Sequence, residues 1–91
     1  MKNELMNRLQ CDEVTAERLE KRLTDISDTL QPYLKEWLET GQVDNDLTIN
    51  GYSVDRLMNT MGMKYTGALL TLDWLIREPE LASEAIERGI M

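Results

Sequence analysis

From Thr15 onward the chain sets apolar side chains at alternating intervals of three and four residues. Ala16, Leu19, Leu23, Ile26, Leu30, Tyr33 and Trp37 form a heptad-like seam. Charged residues flank it, among them Glu17, Arg18, Glu20, Lys21, Arg22, Asp25 and Asp28. Such spacing predicts an amphipathic helix. Leu34 and Leu38 widen the stripe to a face that suits a core-packed helix as well as a coiled coil. Pro32 lies inside the pattern, where its ring crowds the carbonyl of Asp28 and removes a donor. Because the apolar phase runs on across it, the expected result is one long helix, kinked at Pro32 and ended by Gly41 as a C′ residue. A shorter helix over Glu4 to Gln10, with Leu5, Met6 and Leu9 on one side, precedes it.

Residues 42–52 break this rhythm. Asp44, Asn45 and Asp46 disfavour helix, and Leu47-Thr48-Ile49 alternates like a very short strand before the turn pair Asn50-Gly51. The connector is compatible with a small strand pair reaching Tyr52. Ser53 then fits a helix N-cap. Val54, Leu57, Met58 and Met61 line a short helix that ends at Gly62. A second helix is expected from about Lys64 to Arg77, with Ala68, Leu69, Leu72, Leu75 and Ile76 toward the core. Glu78-Pro79 stops it, and Pro79 opens a last helix to Arg88 with Leu81, Ala82, Ala85 and Ile86 inward and Gly89 as its cap. The expected fold is all-α. It is one small domain with N-terminal helices over residues 1–41, a connector over 42–52 and a tri-helical, helix-turn-helix-like half over 53–89.

Composition narrows the function. In 91 residues there is room for one modest core, so a long amphipathic helix has reason to seek a second copy or a partner. The charge is −7, with 17 acids against 10 bases spread along the chain. That opposes unaided contact with nucleic acid, whose phosphates call for clustered cations. Cys11 is the only cysteine, so no internal disulfide can form, and a reducing cytoplasm is the expected location. No apolar run is long enough to span a bilayer. The N-terminal stretch is too polar for a signal peptide.

The catalytic inventory is thin. With no histidine, the usual general base near neutral pH and the commonest metal ligand are both missing. The glycines form neither a phosphate loop nor a dinucleotide fingerprint. Asp44-x-Asp46 with Asn50-Gly51 resembles a calcium loop, but Ile49 stands where its glycine belongs and Asp55 where its closing glutamate belongs. No enzyme activity, cofactor or metal is expected.

What remains points to binding. The seam residues Leu19, Leu23, Ile26, Leu30, Tyr33 and Trp37 serve either an internal core or a partner. Trp74, off the main stripe of its helix, and Arg77 are of the types that anchor interfaces. Met58, Met61 and Met63 surround the glycine turn, where methionine fills gaps or adapts to a partner.

The segment SVDRLMNTMGMKYTGALLTLDWLIRE resembles the helix-turn-helix core of winged-helix regulators, in Ser53, Leu57, Gly62 and the phrase from Leu72 to Glu78. That resemblance implies DNA contact through Arg56, Lys64, Tyr65 and Thr66. It departs from the family where a wing hairpin should follow and Pro79 to Arg88 reads as helix. The whole chain is similar to small proteins of Firmicutes phages and mobile elements. Three functions are therefore expected in turn. The first is a self-associating, non-enzymatic protein-interaction module. The second is a helix-turn-helix regulator that binds DNA. The third is an acidic inhibitor that occupies the basic groove of a host nucleic-acid-handling complex, through Asp12, Glu13, Glu17, Glu20, Asp25, Asp28, Asp44 and Asp46.

Overall fold

A computed structural model describes residues 1–89. The chain is mostly helical and forms two compact units, Met1–Val43 and a second from Asp44 onward. None of the described helices is long and apolar enough to cross a membrane.

The first unit contains α1 (Lys2–Leu9), α2 (Glu13–Thr24) and α3 (Gln31–Thr40), with α1 packed on both of the others. Gln10 takes a left-handed conformation (φ 54°) and its side-chain amide donates to the Asn7 carbonyl at 2.8 Å, closing α1. Asp12 then caps α2 by accepting the Thr15 amide at 2.8 Å. The buried apolar side chains are Leu5, Ala16, Leu23, Ile26, Leu30, Leu34 and Trp37.

The expected continuous helix across Pro32 does not form. α2 stops at Thr24, and α3 begins at Gln31 with Pro32 in its first turn, where a missing N–H costs nothing. The break lies upstream of the proline and has its own chemistry. Ser27 and Asp28 favour turns over helix interiors. The Ser27 hydroxyl accepts the Thr29 amide, and its carbonyl accepts the amides of Leu30 and Gln31. The Gln31 side chain donates to the carbonyls of Thr24 (3.3 Å) and Ile26 (3.0 Å), satisfying acceptors that the helix end leaves open. The apolar phase persists because Ile26 and Leu30 are buried within the link itself. Gly41 ends α3 at φ 78°, its amide bonded to the Trp37 carbonyl at 2.8 Å, as expected for a left-handed cap.

The second unit opens with the strand pair allowed for by the sequence. β1 (Thr48–Ile49) and β2 (Tyr52–Ser53) run antiparallel, with Ile49 opposite Tyr52. Asn50 (φ 53°) and Gly51 (φ 85°) form the two-residue turn, both at positive φ as a tight hairpin of this length demands. Ser53 Oγ accepts the Arg56 amide at 3.1 Å, so the expected cap is made. The helix that follows is wider than an α-helix. Arg56–Thr60 is a π-helical turn whose Arg56 and Leu57 carbonyls accept the amides of Met61 and Met63, closing the segment at Gly62. α4 (Tyr65–Arg77) and α5 (Pro79–Arg88) pack on each other, joined only through Glu78. Val54, Leu57, Ala68, Leu69, Leu72, Leu75, Ala82, Ala85 and Ile86 are buried. Ile76 and Leu81, both expected inward, are instead 38% and 53% exposed. Each lies beside the joint, where α4 ends one residue after Ile76 and α5 starts two residues before Leu81, so little of the chain is left to cover them.

Candidate interaction surface

The seam proposed for a partner faces largely inward. Leu23 and Leu30 are fully buried, Ile26 and Trp37 nearly so, and Leu19 and Tyr33 are half-buried. Nothing of an open coiled-coil face remains at the four buried positions. Beside α3 an open groove of about 500 Å³ has Leu34 and Leu38 in its lining, with Glu4, Lys35 and Glu39 of both signs around it.

The acidic candidates are mostly engaged in the structure. Lys2 donates to Glu13 at 2.9 Å and to Glu17 at 3.4 Å, and the chain's first amino group lies 3.7 Å from Glu20. Hydrogen bonding to Glu13 raises the Lys2 pKa, and the same bond lowers that of Glu13. Asp12 is held below the ordinary carboxylate value by its hydrogen bonds from Thr15. Asp25 sits at the C-terminal cap of α2, and Asp44 accepts the Asp46 amide at 3.0 Å. Asp28 and Asp46 are exposed. All of these acids but Glu20 are exposed, so capping and pairing leave most of their carboxylates at the surface.

In the second unit the arginines are paired in a similar way. Glu87, in the last turn of α5, accepts the Tyr52 hydroxyl at 2.6 Å and the Arg56 guanidinium at 3.3 Å on one oxygen. The Arg56 guanidinium also lies over the Tyr52 ring, 4.8 Å from its centre. Asn50 donates to Ser83, one turn before Glu87, at 3.5 Å. The hairpin, the π-helical turn and α5 are thus clasped by one polar cluster that the sequence pattern did not reveal, because its members lie more than thirty residues apart. The clasp predicts a pH signature. The Tyr52 bond lowers the Glu87 pKa, so that part of the stability is present above the ordinary carboxylate range and lost as pH falls through the lowered value. The bond to Glu87 raises the Tyr52 pKa, so its part is present below the ordinary phenol range and lost as pH rises through the raised value. Tyr52→Phe is expected to flatten both limbs, lowering the melting temperature by a few degrees near neutrality and converging on the parent at either extreme. Thermal melts from about pH 3 to about pH 11 check it, and parallel curves would exclude the clasp.

The residues offered to DNA are not brought together. Tyr65 and Thr66 are buried at 3% and 4% exposure, turned into the unit by the first turn of α4, and Arg56 is held by Glu87. Lys64, at the N-cap of α4, is exposed. Arg77 pairs with Asp73 at 2.9 Å and Arg88 with Glu84. The remaining anchor, Trp74, is half-buried one turn before Glu78. Exposed Ile76 and Leu81, with Arg77 between them in sequence, flank the α4–α5 joint. Ile76 and Leu81 were missed as surface residues; the signal available was their distance from Pro79, which fixes the helix ends. Among the described residues no three acidic or cysteine side chains converge as a metal-ligand set.

No protein-family model matches this chain, and no curated protein or solved structure is significantly similar to it.

Proposed function

We propose that the protein is a non-enzymatic, self-associating protein-interaction module of the phage or mobile-element type, whose contact surface is the α4–α5 joint. The observation that carries this reading is the exposure of Ile76 and Leu81, 38% and 53%, between helices whose other large apolar side chains are mostly buried. Exposed aliphatic side chains with an arginine between them in sequence have the composition of an interface core with a polar edge. The burial of Tyr65 and Thr66 and the pairing of Arg56 favour it over the DNA-binding reading, since a DNA reader needs those side chains free.

The test compares tagged parent with an Ile76→Ser, Leu81→Ser double variant in a nuclease-treated native lysate. The expected outcome is a protein recovered in near-stoichiometric amount by the parent and lost by the variant, with melting temperatures alike. Equal recovery by both would overturn the assigned surface, and recovery that depends on intact nucleic acid would overturn the interaction reading itself.

A further inference from the structure

We propose that the protein assembles head to tail through the two ends of α4, the Lys64 end of one copy seated on the Glu78–Leu81 joint of the next. The proposal deepens the interaction-module reading and rests on it, naming the partner as a second copy of this chain.

The two ends carry opposite chemistry. At the N-terminal end Lys64 is exposed and makes no ion pair among the described residues, while Arg56, Arg77 and Arg88 are all paired. Met58, Met61 and Met63 are half-buried in the segment leading to it. Their unbranched thioethers adapt to the shape of an incoming apolar group. At the other end Glu78 and Glu80 are exposed and likewise form no ion pair among the described residues, and they lie in sequence between exposed Ile76 and Leu81, where Arg77 is paired with Asp73. The dipole of α4 adds positive character at Lys64, while at Glu78 the negative end of α4 meets the positive end of α5, so the joint's charge rests on its side chains.

A helix of 13 residues holds these ends about 20 Å apart, so they cannot meet within one chain. Between copies, Lys64 meets Glu78 and Glu80 while the methionines cover Ile76 and Leu81. The alternative, joint against joint, would set two pairs of glutamates facing each other, a like-charge arrangement that disfavours contact. The overall charge of −7 does not forbid the head-to-tail contact. At physiological ionic strength the screening length is about 8 Å, so charges remote from the junction count little. Because the contact joins two different surfaces, it continues from copy to copy and gives a series of oligomers, open or closed into a ring according to its rotation.

Sedimentation velocity on the purified chain at physiological salt tests this with two charge reversals, Lys64→Glu and the pair Glu78→Lys, Glu80→Lys, each checked for native helix content. The parent is expected to grow in mean mass with concentration. Either reversal alone is expected to weaken assembly by about tenfold or more, because the junction then opposes like charges. An equimolar mixture of the two is expected to assemble as the parent does, since every junction in an alternating series is again complementary. A parent that stays monomeric at every concentration, reversals that assemble as well as the parent, or a mixture no better than its components would each overturn the proposal. If it fails while the lysate experiment still yields a partner lost with Ile76 and Leu81, the interaction-module reading stands with a different occupant.

Discussion

Leu72→Ala is expected to lower the stability of the second unit by about 2–5 kcal/mol, while Ile76→Ala, four residues along the same stripe, costs under about 1 kcal/mol. Leu72 is fully buried in α4, which packs on α5, β1 and the π-helical turn. Truncation removes its transfer free energy and leaves a cavity that rigid helices only partly close. Ile76 has the same helical phase but sits one residue from the end of α4 with 38% of its surface exposed, so little is lost by shortening it. Small domains hold about 5–15 kcal/mol in total, which makes the first change a large fraction of what is available. Urea denaturation followed by far-ultraviolet circular dichroism measures both. Equal costs would mean that the stripe is buried along its whole length and that the joint is not an open surface.

The contrast also shows what hydrophobic periodicity can and cannot say. It placed Ala68, Leu69, Leu72 and Leu75 correctly because each has a neighbouring helix or turn to cover it. It erred at Ile76 and Leu81 because phase says which way a side chain points and not whether anything lies there. The punctuation was more legible. Gly41, Asn50-Gly51, Ser53, Gly62, Pro79 and Gly89 all stand where the chain turns, since positive φ, a missing donor or a capping oxygen is a local requirement. The break at Asp25 to Leu30 was not legible from the apolar pattern. The irregular link buries Ile26 and Leu30 in nearly the phase that a helix would, so two different backbones satisfy one pattern.

The candidate site was legible only in part. Trp74 and Arg77 could be named because tryptophan and arginine are informative by type. The clasp of Tyr52, Arg56 and Glu87 could not, because it depends on the hairpin and α5 meeting across a long stretch of sequence. Counting acids pointed to a negative surface, and most of the named acids are exposed, but the count did not reveal that Asp12, Glu13, Glu17 and Glu20 each also have a capping or pairing role in the first unit. Substituting these exposed ion pairs is worth little in stability. Of the acids offered for a mimic, Asp28 and Asp46 are exposed and form no ion pair among the described residues.

Leu30→Ala is the counterpart in the first unit, with an expected cost of about 2–5 kcal/mol, against about 1 kcal/mol for Leu19→Ala on the same seam. Leu30 is fully buried although it belongs to the link between α2 and α3, and its carbonyl accepts the amides of Tyr33 and Leu34 to start α3. Leu19 is half-buried in the middle of α2. A seam that worked between copies would give the opposite picture. The buried area would then form only on association, so the parent's urea midpoint would rise with the logarithm of protein concentration and both leucines would lower it. With the seam used inside the chain, the cost at Leu30 is the same at every concentration. The chain's two tryptophans, Trp37 in α3 and Trp74 in α4, fall one in each unit. In a Trp74→Phe background the emission of Trp37 therefore follows the first unit alone, free of any change that assembly through α4 brings to the second. Urea midpoints of that background with and without Leu30→Ala, taken over a hundredfold range of concentration, decide the matter. A midpoint that climbs with concentration would return the seam to the interface.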